Sequence, residues 1–220
     1  MMTHIFDVDL TVVKKTTAKY FLFYALRDGF IRFSQVRRLP VDWIKYKLAL
    51  PDEDFIENTV KKLSGLKKSE IEQISEICFE ERIRANIFSG AERLIREKVK
   101  SGQKVIFATS SFDFIIKPLE RFLGIEGSIA SRLEFSNDIT TGNLVGNSLF
   151  GVKKKTAALI WMEQNKILPK DVSFYSDSYT DIPLLELCGN PVAVNPDRIL
   201  ARKAKKLGWQ ILLFKEVLGN

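Results

Sequence analysis

The stretch Phe6-Asp7-Val8-Asp9-Leu10-Thr11 puts two carboxylates one residue apart where a short apolar run, Ile5 and Phe6, ends, and follows them with a hydroxyl. Side chains two positions apart on a strand project to the same side. The spacing therefore predicts Asp7 and Asp9 together at a strand's carboxyl end, the edge where open α/β sheets bind their ligands. Two acids so close invite a hard, oxygen-seeking cation such as Mg²⁺. The cation would relieve their repulsion and orient a phosphate, leaving one carboxylate to attack phosphorus and the other to carry a proton. Taken alone, an Asp-x-Asp at a strand end is equally well a solvated turn with side-chain-to-backbone bonding, so the rest of the chain has to decide.

Outward from this stretch the pattern turns helical from about Thr17 to Arg84, with breaks near Gly29, Pro40, Pro51 and Gly65. The pattern changes at about Ser89. A helix over 90–100 leads to Lys104-Val105-Ile106-Phe107-Ala108, an apolar run suited to a buried parallel strand. A helix over 114–122 follows, ended by Gly124. Residues 130–135 and 140–145, joined across Asn137-Asp138, read as a hairpin. Then come a helix over 154–165, a strand over 172–175, a short helix over 182–187 and a strand over 191–194. A helix capped by Asn195-Pro196 and a strand over 209–214 close the chain. Strand alternating with helix implies an α/β fold, a Rossmann-like parallel sheet covered on both faces. Residues 1–14 and 89–220 would form this core. Residues 15–88 would be an inserted all-helical cap above the strand ends.

Composition narrows the function. With 220 residues, 45% hydrophobic and 28% charged, the chain can bury a substantial core. No stretch has the length of a membrane span or signal peptide, and Cys78 and Cys188 suggest neither a disulfide framework nor a zinc site. The expected location is cytoplasmic. His4, the single histidine, cannot by itself supply a Ser-His-Asp system, so acid–base chemistry falls to carboxylates. A net charge of +7 favours an anionic partner.

The later strands end in polar clusters that match the first. Val105 to Ala108 runs into Thr109-Ser110-Ser111, hydroxyls and backbone N–H groups suited to a phosphate. Phe174-Tyr175 runs into Ser176-Asp177-Ser178-Tyr179-Thr180-Asp181. Between them Lys153-Lys154-Lys155 opens a helix against its dipole, which makes sense beside an anion. Singly these are helix caps, a helix-start charge and a solvated face. In this order, each at a strand end, they read as one site.

Together, Asp7-Val8-Asp9-Leu10-Thr11, Thr109, Lys155 and Ser176 through Asp181 resemble the four motifs of the haloacid dehalogenase superfamily phosphatases, and the helical insert resembles their first type of cap. Phe107-Ala108-Thr109-Ser110-Ser111, Pro118-Leu119, Leu123-Gly124-Ile125, Thr141-Gly142, Asp181-Ile182-Pro183-Leu184-Leu185 and Val192 to Asp197 are similar to the phosphoserine-phosphatase-like branch. The resemblance implies a Mg²⁺-dependent phosphomonoesterase in which Asp7 forms an aspartyl-phosphate and Asp9 protonates the leaving group and then activates water. Thr109 and Lys155 would hold the phosphoryl group, with Thr11 and Ser110 beside it. Asp7, Asp9, Asp177 and Asp181 would hold the metal. Lys155 is preferred among the three lysines because Leu159 follows it at the family's spacing. Ser176 stands where a glycine is usual, Thr109-Ser110-Ser111 replaces Ser-Gly-Gly, and Thr16 replaces the glutamate with which phosphoserine phosphatases recognise the substrate amine. The last departure points away from phosphoserine itself.

The cap leaves the substrate open. Tyr20 to Leu26 is apolar all round a helix, and Phe30, Ile31, Phe33, Trp43 and Tyr46 continue it among basic residues. A small phosphorylated metabolite fits a cap that buries these aromatics. A lipid phosphate of the phosphatidylglycerophosphate type, met at an anionic membrane surface, fits a cap that exposes them. A phosphotransferase would use the same residues. A basic binding protein without catalysis would have no need of four acids, and no nucleic-acid motif is present.

Overall fold

The computed structural model describes residues 2–30, 60–149 and 151–219. Six parallel strands form the central sheet: β1 (Thr3–Phe6), β2 (Lys104–Phe112), β3 (Ser128–Ser131), β6 (Val172–Ser176), β7 (Asn190–Val194) and β8 (Gln210–Leu212). Their order is β3-β2-β1-β6-β7-β8. β1 is central, with Phe6 in register with Phe107 on β2 and with Tyr175 on β6. The connections after β1 lead to one side of the sheet and those after β6 to the other. The crevice beside β1 is therefore the topological switch point at which such sheets bind ligands.

Alternation along the strands divides the core between two faces. Phe6, Phe107, Tyr175 and Val192 face one way, against helices α3 (Ser89–Lys100) and α4 (Asp113–Leu123). Ile5, Ile106, Phe174 and Ala193 face the other, against α5 (Val152–Gln164), α6 (Ile182–Leu185) and α7 (Arg198–Leu207). Burial on both faces explains why these strands are apolar runs rather than polar–apolar repeats. Gly124 closes α4 in the left-handed region, as its position in the sequence predicts.

Among the described residues between β1 and α3 lie the helices α1 (Thr17–Arg27) and α2 (Lys68–Cys78), the latter followed by a π-helical turn over Phe79–Ile83. They share a hydrophobic cluster with the first face of the sheet, and the Phe21 ring meets Phe114 of α4 edge-on at 4.9 Å. On α1, Phe21, Tyr24 and Ala25 are buried whereas Phe23 is 53% exposed, so the helix is not covered all round. Ile31, Phe33, Trp43 and Tyr46 lie outside the described residues.

The expected hairpin forms between β4 (Leu133–Ser136) and β5 (Ile139–Leu144), shorter than the sequence suggested because residues 130 and 131 join the main sheet as part of β3. Asn137 and Asp138 turn it with positive φ. The residues that lead into α2 are tied to this hairpin by backbone hydrogen bonds from Gly65 N–H to the Thr140 carbonyl (2.9 Å) and from Lys68 N–H to the Asp138 carbonyl (2.8 Å). Gly142 makes the approach possible: its φ is +83°, and a Cβ there would lie 2.9 Å from that of Ser64.

One capping expectation is corrected. Asp197, not Asn195, caps α7, its Oδ1 accepting from the backbone N–H groups of Ile199 and Leu200 at 2.8 Å. The Asn195 side chain instead accepts from Phe214 N–H, so it serves a tertiary contact that local spacing does not reveal. Among the described residues no helix is long and apolar enough to cross a membrane.

Candidate active site

Asp7 follows β1 directly and keeps its backbone N–H on the Tyr175 carbonyl at 2.9 Å, so the strand's geometry extends through it. The registers of Phe6 with Phe107 and Tyr175 bring Thr109 and Asp177 to the same carboxyl edge. The chain then turns sharply. Leu10 has a φ of 62°, unusual for a residue with a branched side chain, and its N–H bonds the Val13 carbonyl at 2.7 Å while Val12 N–H bonds Val8. The turn returns Thr11 to the edge, where its hydroxyl donates to Asp177 Oδ1 at 3.2 Å.

The lysine that enters this cluster is Lys154. Its ammonium donates to Asp7 Oδ1 at 3.0 Å and to Asp181 Oδ2 at 2.8 Å, with all three side chains nearly closed to solvent. Lys155, the lysine preferred from sequence, is half-buried at the next position of the helix. Leu159, whose spacing favours Lys155, is exposed, whereas Lys154, Ala158 and Met162, four apart, form the buried face of α5.

Asp9 lies before α1, its Oδ1 accepting from the backbone N–H of Thr17, the first residue of that helix. Thr109 is buried and its hydroxyl accepts from Ser111 N–H at 3.1 Å. Ser110 is half-buried beside it, within β2 and not in a loop, since the strand continues to Phe112. Asp181 is buried and receives a second hydrogen bond on Oδ2, from the Ser176 hydroxyl at 2.7 Å. The Thr17 N–H on Asp9, the Thr17 and Ser111 hydroxyls 2.9 Å from each other, and the Ser176 hydroxyl on Asp181 are contacts that only folding creates.

The electrostatics are those of a site short of positive charge. Burial pushes the Asp7 carboxyl up to about 7 against the pull of Lys154, with Asp181 and Asp9 pushing further in the same direction. Burial, then the Asp7 charge, raises Asp177 to about 8, and burial also raises Asp9. Asp181 Oδ1 is buried without a hydrogen-bond partner, an arrangement costly unless something else satisfies it. Among the described residues no three acidic, histidine or cysteine side chains converge as a closed metal cage. The donor set suits Mg²⁺ nonetheless, because that ion keeps several waters and is commonly held by one or two carboxylates together with substrate phosphate.

The chain is 30% identical to a histidinol-phosphatase of Neisseria meningitidis over 96% of its length and 98% of the relative's. It is 29% identical to a phosphoserine phosphatase of Mycobacterium tuberculosis, over 96% of this chain and 70% of that one. A crystal structure of a Bordetella pertussis protein of unknown function superimposes with a TM-score of 0.86 at 25% identity, covering 96% of this chain and 97% of the other. With residues 5–186 matching the profile of haloacid dehalogenase-like hydrolases, the chain belongs to that family.

Proposed function

We propose that this hydrolase is a Mg²⁺-dependent phosphatase that cleaves a small phosphomonoester through an aspartyl-phosphate on Asp7. The observation that carries the reading is the Lys154 ammonium held between Asp7 and Asp181 at the carboxyl edge of the central strands, beside Thr109 and Asp177. The Asp7 carboxylate attacks phosphorus with the oxygen that Lys154 does not hold, and the bond between phosphorus and the ester oxygen breaks. Asp9, whose raised pKa suits a proton donor, gives its proton to the departing alkoxide. It then takes one from the water that attacks the phosphoenzyme, which frees phosphate and regenerates Asp7. Lys154 offsets negative charge on the nucleophile and phosphoryl oxygens, and Thr109, with Ser110 and Thr11 near it, positions them. Asp7, Asp177 and the Asp9 carbonyl would hold the Mg²⁺, with Asp181 behind them on Lys154, and the ion when bound would supply further charge neutralisation and orient the phosphate.

Residues 1–14 and 89–220 are then the catalytic core, and residues 15–88 the cap that selects the substrate. The relatives named above carry the names of phosphatases for histidinol phosphate and phosphoserine, both phosphates of amino alcohols, and that class is the first to test.

The test is phosphate release by the wild type and by Asp7→Asn, with Mg²⁺ and with chelator, across amino-alcohol, sugar, nucleotide and lipid phosphomonoesters. The expected result is metal-dependent release from a small amino-alcohol phosphate that Asp7→Asn lowers by about 10⁴-fold or more. Full turnover in Asp7→Asn would end the proposed mechanism. Silence across the panel would redirect the search to phosphoryl transfer.

A further inference from the structure

Ser176 is the last residue of β6, fully buried, and stands directly before Asp177. Its hydroxyl oxygen accepts from Ser178 N–H at 3.2 Å. The hydroxyl proton is donated to Asp181 Oδ2 at 2.7 Å. The same Oδ2 receives the Lys154 ammonium. One continuous chain of contacts therefore runs from Ser176 through Asp181 and Lys154 to Asp7. A lysine ammonium is a point charge on a flexible stem, so its position depends on the anchors around it. Of its two carboxylate anchors, Asp181 is the one held by a side-chain hydroxyl among the described residues.

We infer that Ser176 is a positioning residue for the nucleophile's charge partner: by fixing Asp181 it holds the Lys154 ammonium against Asp7. The inference rests on the proposed roles of Asp7 and Lys154. Ser176 also stabilises the turn that follows it, as serines commonly do two residues before a backbone N–H, so the test must separate the two roles.

The variants are Ser176→Ala and Ser176→Gly, the latter carrying the residue usual at this position in the resembled family. They are assayed as full chains with Mg²⁺ and para-nitrophenyl phosphate, alongside thermal unfolding and a crystal structure of the metal-free Ala variant. Loss of a partner that orients a site residue commonly costs about 10–100-fold. The expected result is a fall in kcat of that size with KM within about twofold, and a Lys154–Asp7 contact lengthened beyond hydrogen-bonding distance. A lower Tm with kcat unchanged would make Ser176 a turn residue only and overturn the inference. So would a fall in kcat with the Lys154–Asp7 contact intact, or failure of both variants to fold. An inactive Asp7→Asn beside fully active Ser176 variants would sink this inference alone, whereas an active Asp7→Asn would sink the mechanism beneath it.

Discussion

His4 and Asp7 stand three residues apart, on and just beyond the central strand, 5% and 6% exposed, and their surroundings differ. Both His4 ring nitrogens have neutral partners, Nδ1 the Tyr175 hydroxyl at 3.1 Å and Nε2 the Gln103 side-chain carbonyl. Burial holds its pKa below the usual histidine value against the opposing Gln103 bond. Asp7 shares Lys154 with Asp181, lies near further carboxylates, and is pushed towards protonation. A buried polar group that serves packing is satisfied by its neighbours. One that serves chemistry is left with charge for a ligand or ion to complete.

The largest effect that would sharpen this contrast comes from Lys154. Lys154→Met should reduce turnover by about 10²–10³-fold, the usual consequence of removing one group aimed at developing charge, while Lys155→Met should stay within about twofold. Steady-state phosphate release on both variants decides it, and an inverted result would reinstate Lys155. In chelator, Lys154→Met should also lose about 3–5 kcal/mol of stability by leaving buried carboxylates unpaired, which denaturant unfolding would register.

A smaller effect concerns metal affinity. With the Asp7 and Asp177 carboxyls at about 7 and 8 in the metal-free protein, binding must displace protons below that range. Mg²⁺ affinity should rise from pH 6 to pH 8, by up to about tenfold per pH unit for each proton released. Calorimetric titration in buffers of different ionisation enthalpy would read both affinity and proton count, and pH-independent binding would contradict the arrangement.

The smallest effect belongs to His4. Because its folded pKa lies below 6.5, the unfolded chain binds more protons as pH falls through that value. Its contribution to stability is thus complete above about pH 6.5 and lost below it. Relative to His4→Gln, the wild type should lose stability on acidification with a slope of at most about 1.4 kcal/mol per pH unit. Parallel urea titrations at several pH values would test this, and turnover of His4→Gln should remain near the wild-type level.

Much of the architecture was readable beforehand because its causes are local. Doubly buried strands must be apolar runs, Gly124 suits a left-handed helix end, and Asn137-Asp138 suits a tight hairpin turn. The acids at 7, 9, 177 and 181 stood out because each follows or lies near an apolar strand. The choice between Lys154 and Lys155 was not readable in this way. Adjacent helical residues point about 100° apart, so their roles depend on which face of α5 meets the sheet, and the pattern of Ala158 and Met162 against Leu159 becomes decisive only with burial known. Ser176 donating to Asp181, Asp9 accepting from Thr17 N–H and Asn195 accepting from Phe214 N–H are likewise products of tertiary structure. The order of elements and the chemistry of the strand ends are properties of short stretches, so the chain alone determined them. Which donor reaches which oxygen depends on rotations and registers between distant elements, and only the assembled sheet decided it.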